Sequence, residues 1–201
     1  MKKRNVRLTT DVGTALWPHL NEPDTKFDKD GSYSVNLILN KEGTEKIKSV
    51  MAQVLEEFIA SGDANTKKSA PMPIKEDTDK EGKPTGDYQI KFKLKAVGQS
   101  RGERWEQRPA LFDSSGQPMH EVIGNGSKIA VGCEVIPYST AMAGTGVTLR
   151  LKAVFVIDLK SMSGGESFDS WSFSKQEGFK TDGEKKDTQE EVEEGDGPFD
   201  W

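Results

Sequence analysis

The chain has 201 residues, with 28 Lys and Arg against 33 Asp and Glu, which gives a net charge of −5. This length favours one domain with appendages over two independent cores. The single cysteine, Cys133, excludes an intramolecular disulfide framework and a zinc-ligand cluster. No apolar run reaches the roughly 18 residues of a membrane-spanning helix, and the first residues lack the apolar core of a signal peptide. We therefore expect a soluble cytosolic protein that does not contact membranes.

The first third of the chain predicts two strands and one helix. Residues 6–16 mix polar and apolar side chains and predict a first strand, whereas the prolines and asparagine of residues 17–24 indicate turns. Apolar and polar residues alternate over residues 33–39, which predicts a half-buried strand. From Thr44 to Ala60 the apolar residues fall at helical spacing, which predicts an amphipathic helix.

The middle of the chain predicts a loop followed by more strands. Residues 63–87 are rich in Lys, Asp, Thr, Pro and Gly and predict a long mobile loop. Further strands are predicted over residues 88–96, 108–112, 128–136 and 147–159, with a turn at 101–105 and a strand end at Pro137 and Tyr138. Five or six strands with one early helix predict a mainly β fold of the OB type, a five-stranded Greek-key barrel. Other small barrels and sandwiches are also compatible with this pattern.

The last 39 residues differ in composition from the rest. Residues 163–201 contain no Leu, Ile, Met or Ala and one Val, so they predict a disordered acidic tail that follows a folded domain at residues 1–162. From Asp187 onward there are seven acids and no Lys or Arg, which leaves 28 basic against 26 acidic residues, +2, in the remainder. The net charge of −5 therefore does not exclude an anionic partner of the folded domain.

The end of this tail carries two aromatic residues, Phe199 and Trp201. Exposed aromatics are good anchors for a partner's pocket, and a tail of this kind can also act as an anionic mimic of nucleic acid. The alternative is a solubilising tail with incidental aromatics. The residues predicted to bind partners are Glu190, Glu191, Glu193, Glu194, Asp196, Phe199, Asp200 and Trp201.

A basic cluster lies between residues 88 and 112. Its members are Lys91, Lys93, Lys95, Arg101, Arg104 and Arg108. Strand alternation places the three lysines on one sheet face, about 7 Å apart. Trp105 lies inside the cluster, and Trp17 and Tyr138 are further candidate stacking platforms. A positive groove with aromatic platforms is what a sequence-tolerant binder of single-stranded nucleic acid needs. The alternatives are a solvated strand face, whose lysines protect an edge from aggregation, and aromatics that pack in the core or loops.

Catalytic and metal-binding patterns are missing from the sequence. His19 and His120 lie far apart and in no metal-binding motif, and Cys133 lies in a predicted strand, where a thiol is usually buried and inert. There is no phosphate-binding loop and no serine elbow. We predict a protein without enzymatic activity, metal or cofactor. The runner-up is a protein-interaction or chaperone-like module that does not bind DNA, and a nucleic-acid enzyme is a third possibility.

Several short motifs occur in a characteristic order. They are Gly13–Ala15, Gly31–Val35, the turns at 113–116 and 124–128, the segment Val135–Tyr138 and a final strand that begins at Gly144. With the acidic tail that ends in an aromatic residue, this series resembles the single-stranded DNA-binding proteins of T-seven-like, short-tailed lytic bacteriophages. The resemblance covers most of the chain outside residues 63–87.

This resemblance implies an OB-fold protein that coats single-stranded DNA and anneals complementary strands during phage replication, recombination and repair in the host bacterial cytoplasm. It also implies a tail that contacts the phage DNA polymerase and helicase-primase, competes with DNA for the groove and supports a homodimer. By position, Tyr138 matches the family's DNA-stacking tyrosine, and Trp201 with Phe199 replaces its terminal Phe. The family ends in Phe itself, so this tail departs from the pattern at its last residue.

Overall fold

A computed structural model describes residues 5–26 and 28–160, and the predicted tail at 163–201 lies outside them. The described residues form ten strands and one helix. In chain order these are β1 (Val6–Thr9), β2 (Gly13–Asp24), β3 (Ser32–Leu39), α1 (Lys41–Ala60), β4 (Ile74–Thr78), β5 (Pro84–Lys95), β6 (Val97–Ser100), β7 (Glu103–Glu106), β8 (Ala110–Phe112), β9 (Lys128–Thr140) and β10 (Gly144–Asp158). The predicted mainly β fold with one early helix is confirmed.

Five of the strands close a barrel in the order β2-β3-β5-β10-β9 and back to β2. All of these pairings are antiparallel except that of β5 with β10, which is parallel. Such a closed five-stranded barrel is the OB fold predicted from the sequence. β1 adds to β9, β8 adds to β10 and β4 adds to β5, while β6 and β7 form a separate hairpin.

Alternating side chains fill the barrel. Along β3 the buried residues include Tyr33, Val35, Leu37 and Leu39, and along β5 they are Ile90, Phe92 and Leu94. Helix α1 packs over this core through Ile47, Met51 and Val54, and begins after Asn40, whose Oδ1 accepts a hydrogen bond from the Gly43 backbone N–H at 2.8 Å. Alternate residues of the barrel strands are thereby committed to the core, and the intervening ones form the outer surface.

The cysteine is part of this core. Cys133 on β9 is buried, and burial raises the pKa of its thiol to about 12, with the Glu134 carboxylate adding to the effect. The thiol is therefore protonated at neutral pH and has little nucleophilic character. This agrees with the sequence prediction of an inert core cysteine.

Two predicted strand ends are wrong. Residues 17–24 do not form turns but continue β2, whose pairing with β3 shifts register between Leu16 and His19 and again before Asp24. β2 has one residue more than β3 in the first of these intervals and three more in the second, so both prolines lie where the ladder of backbone hydrogen bonds is interrupted. β9 likewise runs through Pro137 to Thr140. Beyond Val135 it pairs with β10 and no longer with β1, and proline is tolerated in such an edge segment.

The loop predicted at 63–87 is also wrong in part, because β4 and the first half of β5 form a hairpin there. The buried Asp77 carboxylate links the two strands. It accepts hydrogen bonds from the Thr85 hydroxyl at 2.9 Å and the Gln89 amide at 2.6 Å. A polar sequence thus forms a hairpin in which both oxygens of the buried carboxylate accept a hydrogen bond.

Candidate nucleic-acid interface

The three lysines of β5 form a row on the outside of the barrel. Lys91, Lys93 and Lys95 are exposed, while the residues between them are buried. None of the three forms a salt bridge with another residue in the described ranges. Their cross-strand partners on β3 are the neutral Asn36, Ser34 and Ser32. This lysine row is therefore a line of uncompensated positive charge, with the spacing predicted from the strand alternation.

Arg150 extends the lysine row onto the neighbouring strand. It lies on β10 directly beside Lys93 in the parallel pairing, and it is exposed between the buried Leu149 and Leu151. Its guanidinium Nη1 lies 3.6 Å from Oε2 of Glu134 on β9, beyond hydrogen-bond distance, and Oε1 of the same carboxylate lies 3.9 Å from the Nε of Arg7. Arg150 is not among the residues predicted from the sequence, although its place between two apolar residues of the final strand marks it as outward-facing.

Trp105 lies on the β6–β7 hairpin, which we call the hairpin arm (residues 97–106). A two-residue turn at Arg101 and Gly102 closes it, and both residues have positive φ, 50° and 87°, as a type I′ turn requires. Trp105 pairs with Gly98 across the arm, and a Cβ on Gly98 would lie 2.6 Å from the indole Nε1. The indole therefore lies directly on the glycine backbone, yet Trp105 remains 46% exposed.

An open groove of about 880 Å³ lies between the lysine row and the hairpin arm. We call it the main groove. Its side chains include Lys93, Lys95, Gln99, Ser100, Arg101, Trp105, Gln107, Thr148, Arg150 and the acid Asp30. Four of the predicted binding residues thus line one cavity, and Lys91 continues the row along β5. A single anionic chain with stacking bases fits such a groove, because cations and an aromatic surface share its walls.

The structure separates the other two predicted arginines from the main groove. The Arg104 Nη2 donates to the Asp30 carboxylate at 2.6 Å, so its charge is paired within the protein. Arg108 lies instead beside an adjoining cavity of about 710 Å³, together with Lys29 and Tyr33. We call this the side cavity.

Trp17 lies at the first bulge of β2 and is 60% exposed. Its backbone N–H donates to the Asn125 side chain, and its φ of 46° is unusual for a bulky residue. On β3, Asn36 pairs with Leu16 on one side and with Lys91 on the other. Ser34 likewise pairs with His19 and with Lys93. Trp17 does not line the main groove, but it lies two strands from the lysine row on the outer surface of the barrel.

Tyr138 is half-buried on β9, and its cross-strand partner is Gly146 on β10. A Cβ on Gly146 would lie 3.2 Å from the phenol oxygen and 2.8 Å from the Cβ of Ala70, so the glycine leaves room for the ring. Gly146 precedes Arg150 by four residues, a rise of about 13 Å along the strand. Tyr138 and Trp105 thus lie towards opposite ends of the basic surface formed by the lysine row and Arg150.

The eight tail residues predicted to bind partners lie outside the described residues. Within the described part of the chain, no cluster of three or more His, Cys, Asp or Glu side chains is arranged to hold a metal ion. No helix of this part is both long and apolar enough to span a bilayer.

The chain is similar to phage proteins that bind single-stranded DNA, in sequence and in structure. No protein-family model matches the chain. The chain is 32% identical over 94 residues to the single-stranded DNA-binding protein of Escherichia phage T7, a stretch that covers 43% of this chain and 40% of that protein. The crystal structure of gp2.5, a single-stranded DNA-binding protein encoded by bacteriophage T7, superposes with a TM-score of 0.59 at 25% identity. The superposition covers 89% of this chain and 100% of the gp2.5 chain.

A second solved relative shares the fold. The single-stranded DNA-binding protein of bacteriophage Enc34, solved in complex with single-stranded DNA, superposes with a TM-score of 0.53 at 21% identity, over 79% of this chain and 89% of that one. The resemblance to phage single-stranded DNA-binding proteins that the sequence motifs indicated is confirmed. These relatives are named as DNA-binding proteins, with which the prediction of a protein without enzymatic activity agrees.

Proposed function

We propose that this chain binds single-stranded DNA without strong sequence preference and serves phage DNA replication, recombination and repair in the host bacterial cytoplasm. The observation that carries the proposal is the main groove, where Lys93, Lys95, Arg101 and Arg150 face the same space as the exposed indole of Trp105. The similarity to the T7 protein supports it. The aligned stretch covers only 40% of that protein. The main support for the proposal is therefore the set of cations and the indole that line the main groove of this chain.

In this proposal the groove cations and the aromatic residues have separate tasks. The lysine row, Arg101 and Arg150 neutralise successive phosphates, while bases stack on Trp105, Tyr138 and Trp17. Stacking contributes roughly 1–3 kcal/mol per base and is tolerant of sequence, because every base has a π-face. The neutral Ser and Asn side chains of β3 between the lysines and Trp17 offer no charge that would repel the phosphates. Arg108 adds a cation at the side cavity rather than in the main groove.

The direct test is a titration of a labelled oligonucleotide, longer than the roughly 4–16 nucleotides that one OB fold covers, at two salt concentrations. Five cations at about 0.7 each predict a slope of about −3.5 for log K against log salt, hence a roughly 100-fold loss of affinity between about 50 and 200 mM salt. Fluorescence anisotropy measures both values. A duplex of the same length is the control and is expected to bind more weakly, because its bases cannot stack on the aromatics.

Three results would contradict the proposal or part of it. Failure to bind the oligonucleotide at low salt would favour the protein-interaction module. Shortened oligonucleotide after incubation with magnesium would favour a nucleic-acid enzyme. Affinity that did not change with salt would contradict the assignment of the five cations to phosphates.

We further propose that residues 1–162 form the DNA-binding domain and that residues 163–201 form a tail that contacts the phage DNA polymerase and helicase-primase and supports a homodimer. The seven acids from Asp187 onward suit basic surfaces, and Phe199 and Trp201 suit an apolar pocket. The same acids are complementary to the main groove, so the tail competes there with DNA.

Deletion of residues 187–201 tests this competition. Removal of seven negative charges is expected to tighten binding of single-stranded DNA at low salt and to abolish contact with the polymerase, because the anionic competitor and the aromatic anchors leave together. Anisotropy measures the DNA affinity, and a pull-down with the polymerase measures the contact. A matched control replaces only Phe199 and Trp201 with Ala: it should lose the polymerase contact while its DNA affinity stays that of the full chain. Unchanged affinity and salt slope after truncation would refute the competition.

A further inference from the structure

The hairpin arm has almost no core of its own. All four residues of β7 are exposed, and of β6 only Gly98 is buried. An isolated two-stranded hairpin is at best marginally stable in water. The position of the arm against the barrel must therefore come from contacts at its base and along its side.

Two hydrogen bonds from Gln107 to backbone carbonyls hold the base of the arm. The Gln107 backbone N–H donates to the Ala96 carbonyl at 2.8 Å, and the Gln107 side-chain amide donates to the Lys95 carbonyl at 2.9 Å. Both hydrogen bonds lie next to the point where the arm joins the barrel, and neither reaches its outer half.

The contact that reaches along the side of the arm is the 2.6 Å pair between Arg104 and Asp30. Asp30 lies in the turn between β2 and β3, which is itself fixed to the barrel. Its backbone N–H donates to the Asp28 carboxylate at 3.1 Å, and the following residue, Gly31, has a φ of 73° and accepts from the Ala96 N–H at 3.0 Å. The backbone around Asp30 is thus tied to the barrel, and the Asp30 carboxylate holds the residue adjacent to Trp105.

We propose that Asp30 and Arg104 form a latch that positions Trp105 at the main groove, so that Arg104 is a positioning residue and not a phosphate ligand. This inference rests on the proposed function and deepens it. It explains why an acid lines an otherwise basic groove: Asp30 is retained there to orient the arm. Gly98 completes the arrangement, because any side chain at this position would displace the indole.

The latch and a direct phosphate contact predict opposite effects of Asp30→Asn. This variant removes one negative charge from the groove wall and would tighten DNA binding if Arg104 were thereby freed for a phosphate. With a latch, the same variant releases the arm and weakens binding about two- to fivefold, the range that a half-exposed ion pair contributes. Both residues are about half exposed, so the substitution leaves the barrel core untouched.

Rescue by pair reversal separates positioning from a loss of charge. Arg104→Asp alone is expected to weaken binding, and the double variant Asp30→Arg with Arg104→Asp is expected to restore it, since the pair forms again in the opposite sense. Glu103→Gln is the matched control, because it removes a negative charge from the same arm without touching the latch. Its DNA affinity is expected to stay within twofold of the parent chain, about 0.4 kcal/mol.

A readout without DNA keeps this inference distinct from the proposed function. In the full chain labelled with 5-fluorotryptophan, the Trp105 resonance, assigned with Trp105→Phe, is expected to shift or broaden in Asp30→Asn and to return in the reversed pair. An unmoved resonance, or tighter DNA binding by Asp30→Asn, would overturn the latch. Failure of the parent chain to bind single-stranded DNA would instead refute the proposed function and leave the fluorine result to decide on the latch.

Discussion

Reversing the charge of the lysine row, by Lys91→Glu, Lys93→Glu and Lys95→Glu together, is expected to lower the affinity for single-stranded DNA by about two to three orders of magnitude near 50 mM salt. Each lysine is exposed and lacks a salt bridge among the described residues, so each is free to meet a phosphate. Loss of three contacts should also reduce the salt slope by about 2. Anisotropy titrations at several salt concentrations measure both quantities.

The matched control applies the same change of charge elsewhere. Lys41, Lys80 and Lys83 are exposed at the start of α1 and at the tip of the β4–β5 hairpin. Replacing all three with Glu gives a variant with the same net charge as the lysine-row variant. Any difference in DNA affinity between the two variants is therefore due to where the charges lie. Equal losses of affinity in the two triple variants would contradict a binding site at the lysine row and leave only a general electrostatic attraction.

The sequence pattern predicted those parts of the site that depend on local geometry. The lysine row follows from the period of two in a strand, since Ile90, Phe92 and Leu94 had to face the core. The turn predicted at 101–105 is confirmed at Arg101 and Gly102, where the glycine tolerates the required positive φ, and is wrong beyond them because Glu103–Glu106 form β7. In both cases neighbouring residues along the chain contain all the information that the prediction needs.

Long-range pairings account for the residues that were missed or misassigned. Arg150 joins the lysine row only because β10 pairs in parallel with β5, and no local pattern contains that pairing. Arg104 belongs to the same basic cluster in the sequence, yet Asp30, 74 residues earlier, lies within 2.6 Å of it. The sequence shows which strand or turn carries each basic residue, but it does not show which residue of a distant segment lies beside it.

Two polar segments show the same limit for the fold. The polar segment around Ile74–Thr78 predicts a loop, yet it pairs with β5, and the buried Asp77 bonds to side chains of that strand. Residues 17–24 contain turn-forming types, yet pairing with β3 keeps them extended through two shifts of register. Tertiary pairing overrides local propensity in both places.

Replacing Trp105 with Ala is expected to weaken binding of single-stranded DNA about 5- to 150-fold with an unchanged salt slope, because a stacked base contributes roughly 1–3 kcal/mol and carries no phosphate charge. The exposed indole is available for stacking, since the glycine beneath it covers only one of its faces. Tyr138→Ala is expected to act in the same way. The two losses should add in free energy, because Trp105 and Tyr138 lie towards opposite ends of the basic surface.

Two companion variants define what the aromatic residues contribute. Trp105→Phe keeps an aromatic surface and should retain most of the affinity, whereas Tyr88→Ala removes an aromatic that contacts Lys48 of α1, at 4.7 Å from the ammonium to the ring, and should leave DNA binding unchanged. Circular dichroism shows that each variant is folded, and anisotropy gives the affinities. If Trp105→Ala and Tyr138→Ala both kept the parent affinity, the bases would not stack there, and the main groove would act through its cations alone.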